Sequence, residues 1–542
     1  MTKLTCSALF ITLISLATCR IHYRTIDGID NFETGMHDMK SNSPLNYQNE
    51  VSERSPMMYE YSTRPFLYEM SLKYKQPNMK LINVPMSEFQ RLADLGVTMI
   101  WMMGVWEIGE YGKCRATDED LRKSYGTHLP DYTFSDIIGS PYQVLDYRIN
   151  PSIGTDEEVL LFKNKLNAIG IGLMLDFVPN HSAVDSSWVE SNSSLYINVP
   201  RGTPKPYDPY SYLPNGVANG KDPFYSAWLD TAQWNYWNPA TRKLQFEKLM
   251  KVASLSDGIR CDMSMLLLND VIEKTWSAQL KSGGWSRPET EFWGDSIKKV
   301  KERYPKIKFL AEVYWNLERK LLSLGFDYVY DKSLYDELTT GDANKVRSHI
   351  ASMDYDYLLH SANFVENHDE DRARSHFGSI EKSLAAVTVM FTIPGMRFNY
   401  HGQWEGKSSR LLVQLRRSVN EAVNQETVAF YEKLIKIIDH DVFHLGTWKM
   451  LSAGGSTEAD RVLAWKWNFN NEKRLIVVSY SDQEGSGAVV LDDATPHEGS
   501  TDEVMFSELL SGVQYKRSTK EVTSKGLFVL LKPYQSQIFK YT

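Results

Sequence analysis

Four short segments of this chain place ionisable side chains where apolar runs end. They are LMLDFVPNH, with Asp176, Asn180 and His181; DGIRCDM, with Arg260 and Asp262; FLAEVYW, with Glu312; and FVENHDEDR, with Asn367, His368, Asp369 and Arg372. A charge at the end of a buried strand costs solvation. Four such ends in succession, all at one rim, therefore predict a working constellation. Two carboxyl groups about 5–5.5 Å apart can open an acetal with retention of configuration, one attacking the anomeric carbon and the other protonating the departing oxygen. Asp262 and Glu312 close strands that follow each other in the chain and suit those two parts. Arg260 stands two residues before Asp262, on the same face of a strand, where its guanidinium can hold that carboxylate ionised and oriented. Glu312 must carry a proton at rest, and crowding by Asp262 and Asp369 moves it in that direction.

The elements that must position these groups alternate. Apolar runs of strand length at 66–70, 98–103, 172–178, 258–263, 309–314, 326–330, 363–366 and 396–400 are separated by stretches of helical period at 86–95, 156–168, 241–254, 291–304, 342–353 and 380–391, with 428–438 as the last helix. Eightfold alternation predicts an α/β fold closed as a (β/α)8 TIM barrel, whose chemistry sits at the C-terminal ends of its strands. An irregular stretch of about 182–238, rich in Pro, Gly, Tyr and Asn, interrupts the rhythm after the third strand, and a loop of that length is usually functional. Beyond about residue 440 the pattern turns to short β-rich segments and predicts a separate antiparallel β domain. The expected division is a signal peptide at 1–19, a flexible linker at 20–59, the barrel at 60–440 and the β domain at 441–542.

The chain has 542 residues, enough for one large domain and one modest one. Its net charge of −8 gives no electrostatic reason to hold nucleic acid or an anionic membrane. Lys3 followed by an apolar run from Ala8 to Ala17 reads as a cleaved secretory leader, with a lipid anchor at Cys19 as the alternative, and no later run is long enough to span a bilayer. Secretion is the expected destination. Two cysteines of the body, Cys114 and Cys261, either pair or stay free, and their spacing offers no metal site. Among the 14 tryptophans, Trp101, Trp106, Trp188, Trp228 and Trp234 read first as core, with those of the inserted stretch holding the better claim to a sugar ring.

The four segments resemble, in order and content, the conserved regions of glycoside hydrolase family 13, the α-amylase family. Asp176-Phe-Val-Pro-Asn180-His181 is similar to the first region, Gly258-Ile-Arg260-Cys-Asp262 to the second, Ala311-Glu312-Val313 to the third and Asn367-His368-Asp369 to the fourth. The resemblance implies Asp262 as nucleophile, Glu312 as acid/base and Asp369 as the group that grips sugar hydroxyls in the transition state. It implies substrate contacts for Tyr142, His181, Arg260, His368, Asp176 and Asn180, with Tyr142 stacking under the reacting ring. Segments 140–147, 233–239 and 395–403 extend the likeness, and the family's barrel is followed by a β-sandwich. Many members carry Lys and His three and four positions after the nucleophile, where this chain has Met265 and Leu266. That departure marks an atypical subgroup and counts against the family's calcium site; no other cofactor or metal is expected. The implied activity is retaining hydrolysis of α-glucans or α-glucosides. The alternatives are transfer to an acceptor sugar at the same site, and a barrel that only binds carbohydrate.

Overall fold

This computed structural model describes residues 55–203, 208 and 210–542. The leader and most of the expected linker lie outside the described residues. Eight parallel strands form a closed barrel: β1 (Met57–Ser62), β2 (Met99–Met103), β3 (Gly172–Phe177), β4 (Gly258–Cys261), β5 (Lys308–Ala311), β6 (Tyr328–Tyr330), β7 (Ser361–Asn363) and β8 (Met396–Tyr400). Each pairs with its neighbours in chain order, and β8 closes on β1 with Met57 opposite Arg397. The strands are buried along nearly their whole length, which is why they read as continuous apolar runs rather than alternations.

The first strand is not where the sequence predicts it. Residues 66–70 belong to the helix Thr63–Lys73, and the strand is Met57–Ser62, inside the expected linker and its border. Two physical facts explain the exchange. Pro65 sits in the first helical turn, where its missing N–H costs nothing, and Phe66, Leu67 and Met70 then share one buried face. The true strand carries a glutamate, Glu60, inside an apolar run, and that charge hides it.

Other elements start and stop for local reasons. Thr155 and Glu158 form a reciprocal capping box at the start of Asp156–Asn167. Asn238 caps Pro239–Leu255, with the proline at the position that needs no donor. The stretch after β3 is tied to the barrel by a two-stranded ribbon in which His181–Ala183 pairs with Thr231–Gln233.

The C-terminal strands are β9 (Thr447–Gly454), β10 (Val462–Phe469), β11 (Glu472–Ser479), β12 (Gly485–Val489), β13 (Glu503–Glu508), β14 (Gln514–Ser518), β15 (Leu527–Leu531) and β16 (Ser536–Tyr541). They run antiparallel in the order β14-β13-β16-β11-β10-β9-β12-β15 and fold into a sandwich. One face encloses its own core around Val477, Phe506, Val529 and Phe539. The opposite face, through Trp465, Trp467, Ile476 and Tyr480, joins the barrel's core. Trp465 and Trp467 both donate their indole N–H to the carbonyl of Thr392, at 3.1 and 2.6 Å. Cys261 is a free thiol buried in the barrel wall, so no bridge joins it to Cys114. Among the described residues no helix is long and apolar enough to cross a membrane.

Candidate active site

Parallel pairing sets the first geometry. Cys261 of β4 lies opposite Ala311 of β5, and each strand stops there. Asp262 and Glu312 are therefore the first residues past two adjacent strand ends, where neighbouring chains run about 4.8 Å apart. The Glu312 N–H donates to the Cys261 carbonyl at 3.1 Å and the Ser264 N–H to the Glu312 carbonyl at 2.9 Å, so the two ends stay laced together.

Met263 follows with φ of 42°, a left-handed conformation that a bulky residue rarely adopts. The strain turns its N–H onto Glu312 Oε2 at 2.8 Å. Wholly buried Arg260 extends beneath the pair. One guanidinium nitrogen bonds Asp262 Oδ1 at 2.8 Å, and the other bonds Glu312 Oε2 at 2.6 Å. Its Nε donates to the Tyr330 hydroxyl at 3.2 Å, and its plane rests among the rings of Trp101, Tyr142 and Tyr330. Glu312 Oε1 is bonded by the Tyr314 hydroxyl at 2.8 Å.

The opposite wall comes from the segment after β7, the connection between β2 and β3, and His181 at the start of the inserted stretch. His368 sits between two carboxylates, with Nδ1 at 2.6 Å from Glu60 Oε1 and Nε2 at 3.0 Å from Asp369 Oδ2. The Tyr142 hydroxyl lies 2.9 Å from the same Nε2, and its ring stacks on the imidazole. His181 Nε2 reaches the Tyr142 carbonyl at 3.1 Å.

Between these walls lies a cavity of about 620 Å³, lined among others by Asp262, Glu312, Asp369, Tyr142, His181 and His368. Trp228 of the inserted stretch lines it too and packs on His181, whereas Trp188 and Trp234 pack on each other. Three of the expected contact residues stand outside the lining. Arg260 and Asp176 are buried below the floor, and Asp176 accepts the Gly104 N–H at 2.9 Å. Asn180 takes Gln233 Nε2 on its carbonyl and its Oδ1, both at 3.0 Å, and so anchors the inserted stretch. Sequence reasoning passed over Glu60, Tyr314 and Tyr330. Only Glu60 left a signal, as a lone charge in an apolar run.

Burial pushes the Glu312 carboxyl up to about 7 against the pull of Arg260, with Asp262 and Asp369 adding to the rise. It raises Asp262 as well, opposed by the charge and the hydrogen bond of Arg260. Asp369 goes the other way: its side chain keeps about half its surface exposed, and the charge and hydrogen bond of His368 outweigh what desolvation it suffers and hold the carboxyl below its ordinary range. Burial lowers His181 to about 4, so that ring is neutral at physiological pH. The site thus contains one carboxyl poised to carry a proton beside a second carboxyl, both bonded to one guanidinium, a pairing that can serve acetal cleavage.

A (β/α)8 barrel with this rim defines the class, and comparison with known proteins narrows it. The sequence model of the alpha-amylase catalytic domain matches residues 86–265. "Alpha-amylase 3" of Dictyoglomus thermophilum is 25% identical over 334 residues, 57% of each chain. "Maltase 1" of Drosophila virilis is 24% identical over 375 residues, covering 58% of this chain and 53% of that one. The chain thus spans little more than half the length of these curated relatives. Among solved structures, an alpha-amylase from Lactobacillus plantarum superposes with a TM-score of 0.64 at 19% identity, covering 91% of this chain and all of that one. A noncanonic maltogenic alpha-amylase from Thermotoga neapolitana gives 0.65 at 18% identity, covering 91% and 99%. These structural likenesses bear on the fold.

Proposed function

We propose that this protein is a retaining glycoside hydrolase acting on α-glucans or α-glucosides. The observation that carries the reading is the single guanidinium of Arg260 bonded to both Asp262 and Glu312. It draws the two carboxyl groups toward the short separation, about 5 Å, that direct attack by one of them needs; inverting enzymes leave room for a water between theirs.

In this mechanism Asp262 attacks the anomeric carbon. Glu312 delivers its proton to the glycosidic oxygen, and the leaving sugar departs. The proton sits on Oε1, since Oε2 already accepts from Arg260 and from the Met263 N–H. Glu312, now ionised, takes a proton from water, which attacks the same carbon and displaces Asp262, so the product keeps its α configuration. Asp369 and His368 face the ring's hydroxyls across the cavity, and Tyr142 offers an aromatic face. All these steps use side chains of this chain alone. The names of the relatives, two amylases and a maltase among them, support an α-linked glucan or oligosaccharide as substrate.

Incubation of the full chain with maltooligosaccharides, isomaltose, sucrose and trehalose, followed by proton NMR of the first product, tests this reading. An α-anomer released at early times is expected, and a β-anomer would sink the retaining mechanism. Asp262→Asn and Glu312→Gln are each expected to lower turnover of an unactivated substrate by at least about a thousandfold. The glutamine variant should keep far more activity on α-glucosyl fluoride, whose fluoride leaves without a proton.

A further inference from the structure

We propose that Glu60 is a positioning residue of this site: its carboxylate keeps His368 as an imidazolium, and that cation holds Asp369 ionised at the cavity wall. The consequence for turnover rests on the glycosidase reading, whereas the charge on His368 can be measured without it.

Glu60 lies on β1 with no exposed surface, deep in the barrel. Its Oε1 stands 2.6 Å from His368 Nδ1, in the range of charge-assisted hydrogen bonds, and its Oε2 has no partner among the described residues. A buried carboxylate with one contact is expensive to keep, by several kcal/mol. A glutamine would offer the same acceptor oxygen at the same reach without that cost, so what the glutamate adds is its charge.

The imidazole's two faces point the same way. Each ring nitrogen meets a carboxylate oxygen, Glu60 on one side and Asp369 on the other. An ionised carboxylate only accepts, so both nitrogens must carry hydrogen. The Tyr142 hydroxyl, also on Nε2, can accept from the same N–H.

Besides His368, the cations that act on Asp369 among the described residues are Arg260 and Arg410, and neither forms an ion pair with its carboxylate. Carboxyl groups of Glu60, Asp176, Asp262, Glu312 and Asp369 face this space from β1, β3, β4, β5 and the end of β7. Trp101, Tyr142, Tyr330 and Tyr400 fill the gaps between them without charge. Arg260 is engaged by Asp262 and Glu312, with Asp176 at 3.7 Å. Arg410 bonds the main-chain carbonyl of Asp369, and the ion pair found for its carboxylate among the described residues is with His368. Burial, with Asp369, favours a proton on Glu60, opposed by His368 and Arg260, whereas His368 feels two carboxylates in direct contact, so the shared proton belongs to the histidine.

The test is the ring-nitrogen NMR of the full chain labelled with ¹⁵N-histidine, titrated from about pH 5 to 9 and assigned by the signal lost in His368→Asn. His368 is expected to stay doubly protonated past about pH 8. Removing the negative charge in Glu60→Gln makes the imidazolium lose its proton earlier, by at least about one pH unit, whereas Glu60→Asp keeps the charge and the wild-type titration. A neutral ring at pH 7 in the wild type, or an unchanged titration in a folded Glu60→Gln, overturns the proposal. If that variant does not fold, the wild-type titration decides alone.

Turnover of α-glucosyl fluoride separates this proposal from the one before it. The fluoride leaves without Glu312's proton, so loss of activity at high pH reports the His368–Asp369 pair, and it should move to lower pH in Glu60→Gln. Wild-type protein that cleaves the fluoride while Glu60→Gln shows no such move would refute the role of Glu60 and leave the glycosidase standing. A charged His368 in a protein that cleaves nothing would do the reverse.

Discussion

Phenylalanine at position 314 would remove a hydroxyl that lies 2.8 Å from the Glu312 oxygen assigned to carry the transferred proton. The carboxylate form of Glu312 loses a hydrogen-bond donor, so its deprotonation moves to higher pH, and the falling limb of kcat/KM should follow. Turnover of poor leaving groups should drop roughly tenfold as the acid loses its orientation, while α-glucosyl fluoride is spared. An equal loss on both substrates would show that Tyr314 merely packs. In the unaltered protein the falling limb belongs near pH 7, because Glu312 must be protonated to act and burial places it at about 7. Activity should therefore decline steadily above that pH on any unactivated glucoside. The three acids were legible in the sequence because charge at a strand end is conspicuous. Glu60 and Tyr314 were not: the first sits at the border of the expected linker, ahead of the run taken for the first strand, and the second is an aromatic in a chain where aromatics are common.

Strand ends do more here than present side chains. β4 and β5 stop earlier than their apolar runs suggest, at Cys261 and Ala311: the N–H groups of Asp262 and Glu312 make the last bonds to the neighbouring strands, and Met263 then adopts a left-handed backbone. Hydrophobicity alone cannot show where a ladder stops, since Met263 and Val313 continue the apolar pattern past each boundary. Helices were easier, as in Asp156–Asn167 and Ile380–Thr392, whose starts are set by Thr155 and Ser379 caps. Entry into β8 depends on Gly395, at φ of 115°, where a Cβ would meet the carbonyls of Ser361 and Leu358 at 2.6 and 2.7 Å. Gly395→Ala should cost at least about 2 kcal/mol in denaturant unfolding. An unchanged midpoint would mean that the strand entry relaxes freely.

At the scale of the molecule, the sandwich is part of the barrel's core rather than an appendage. Trp465 and Trp467 bond Thr392, Tyr480 bonds the Leu338 carbonyl at 2.7 Å, and Arg347 bonds the carbonyls of Asp460 and Val462. Calorimetry should give one cooperative transition, and a chain ending at Gly446 should aggregate, since it would expose the apolar face that these residues cover. Two resolved transitions would contradict this. Closure of the barrel also has a history in time. β1 pairs with β8, so one edge of the first strand waits for a partner made more than three hundred residues later. At the pace of protein synthesis that is on the order of tens of seconds. Throughout that interval Glu60 precedes the histidine it will hold. An unpaired strand edge with a charge set in its middle is a poor template for aggregation, because any intruding strand would have to bury that charge as well. The carboxylate that serves the finished site would thus first serve the nascent chain, as a guard on its open edge.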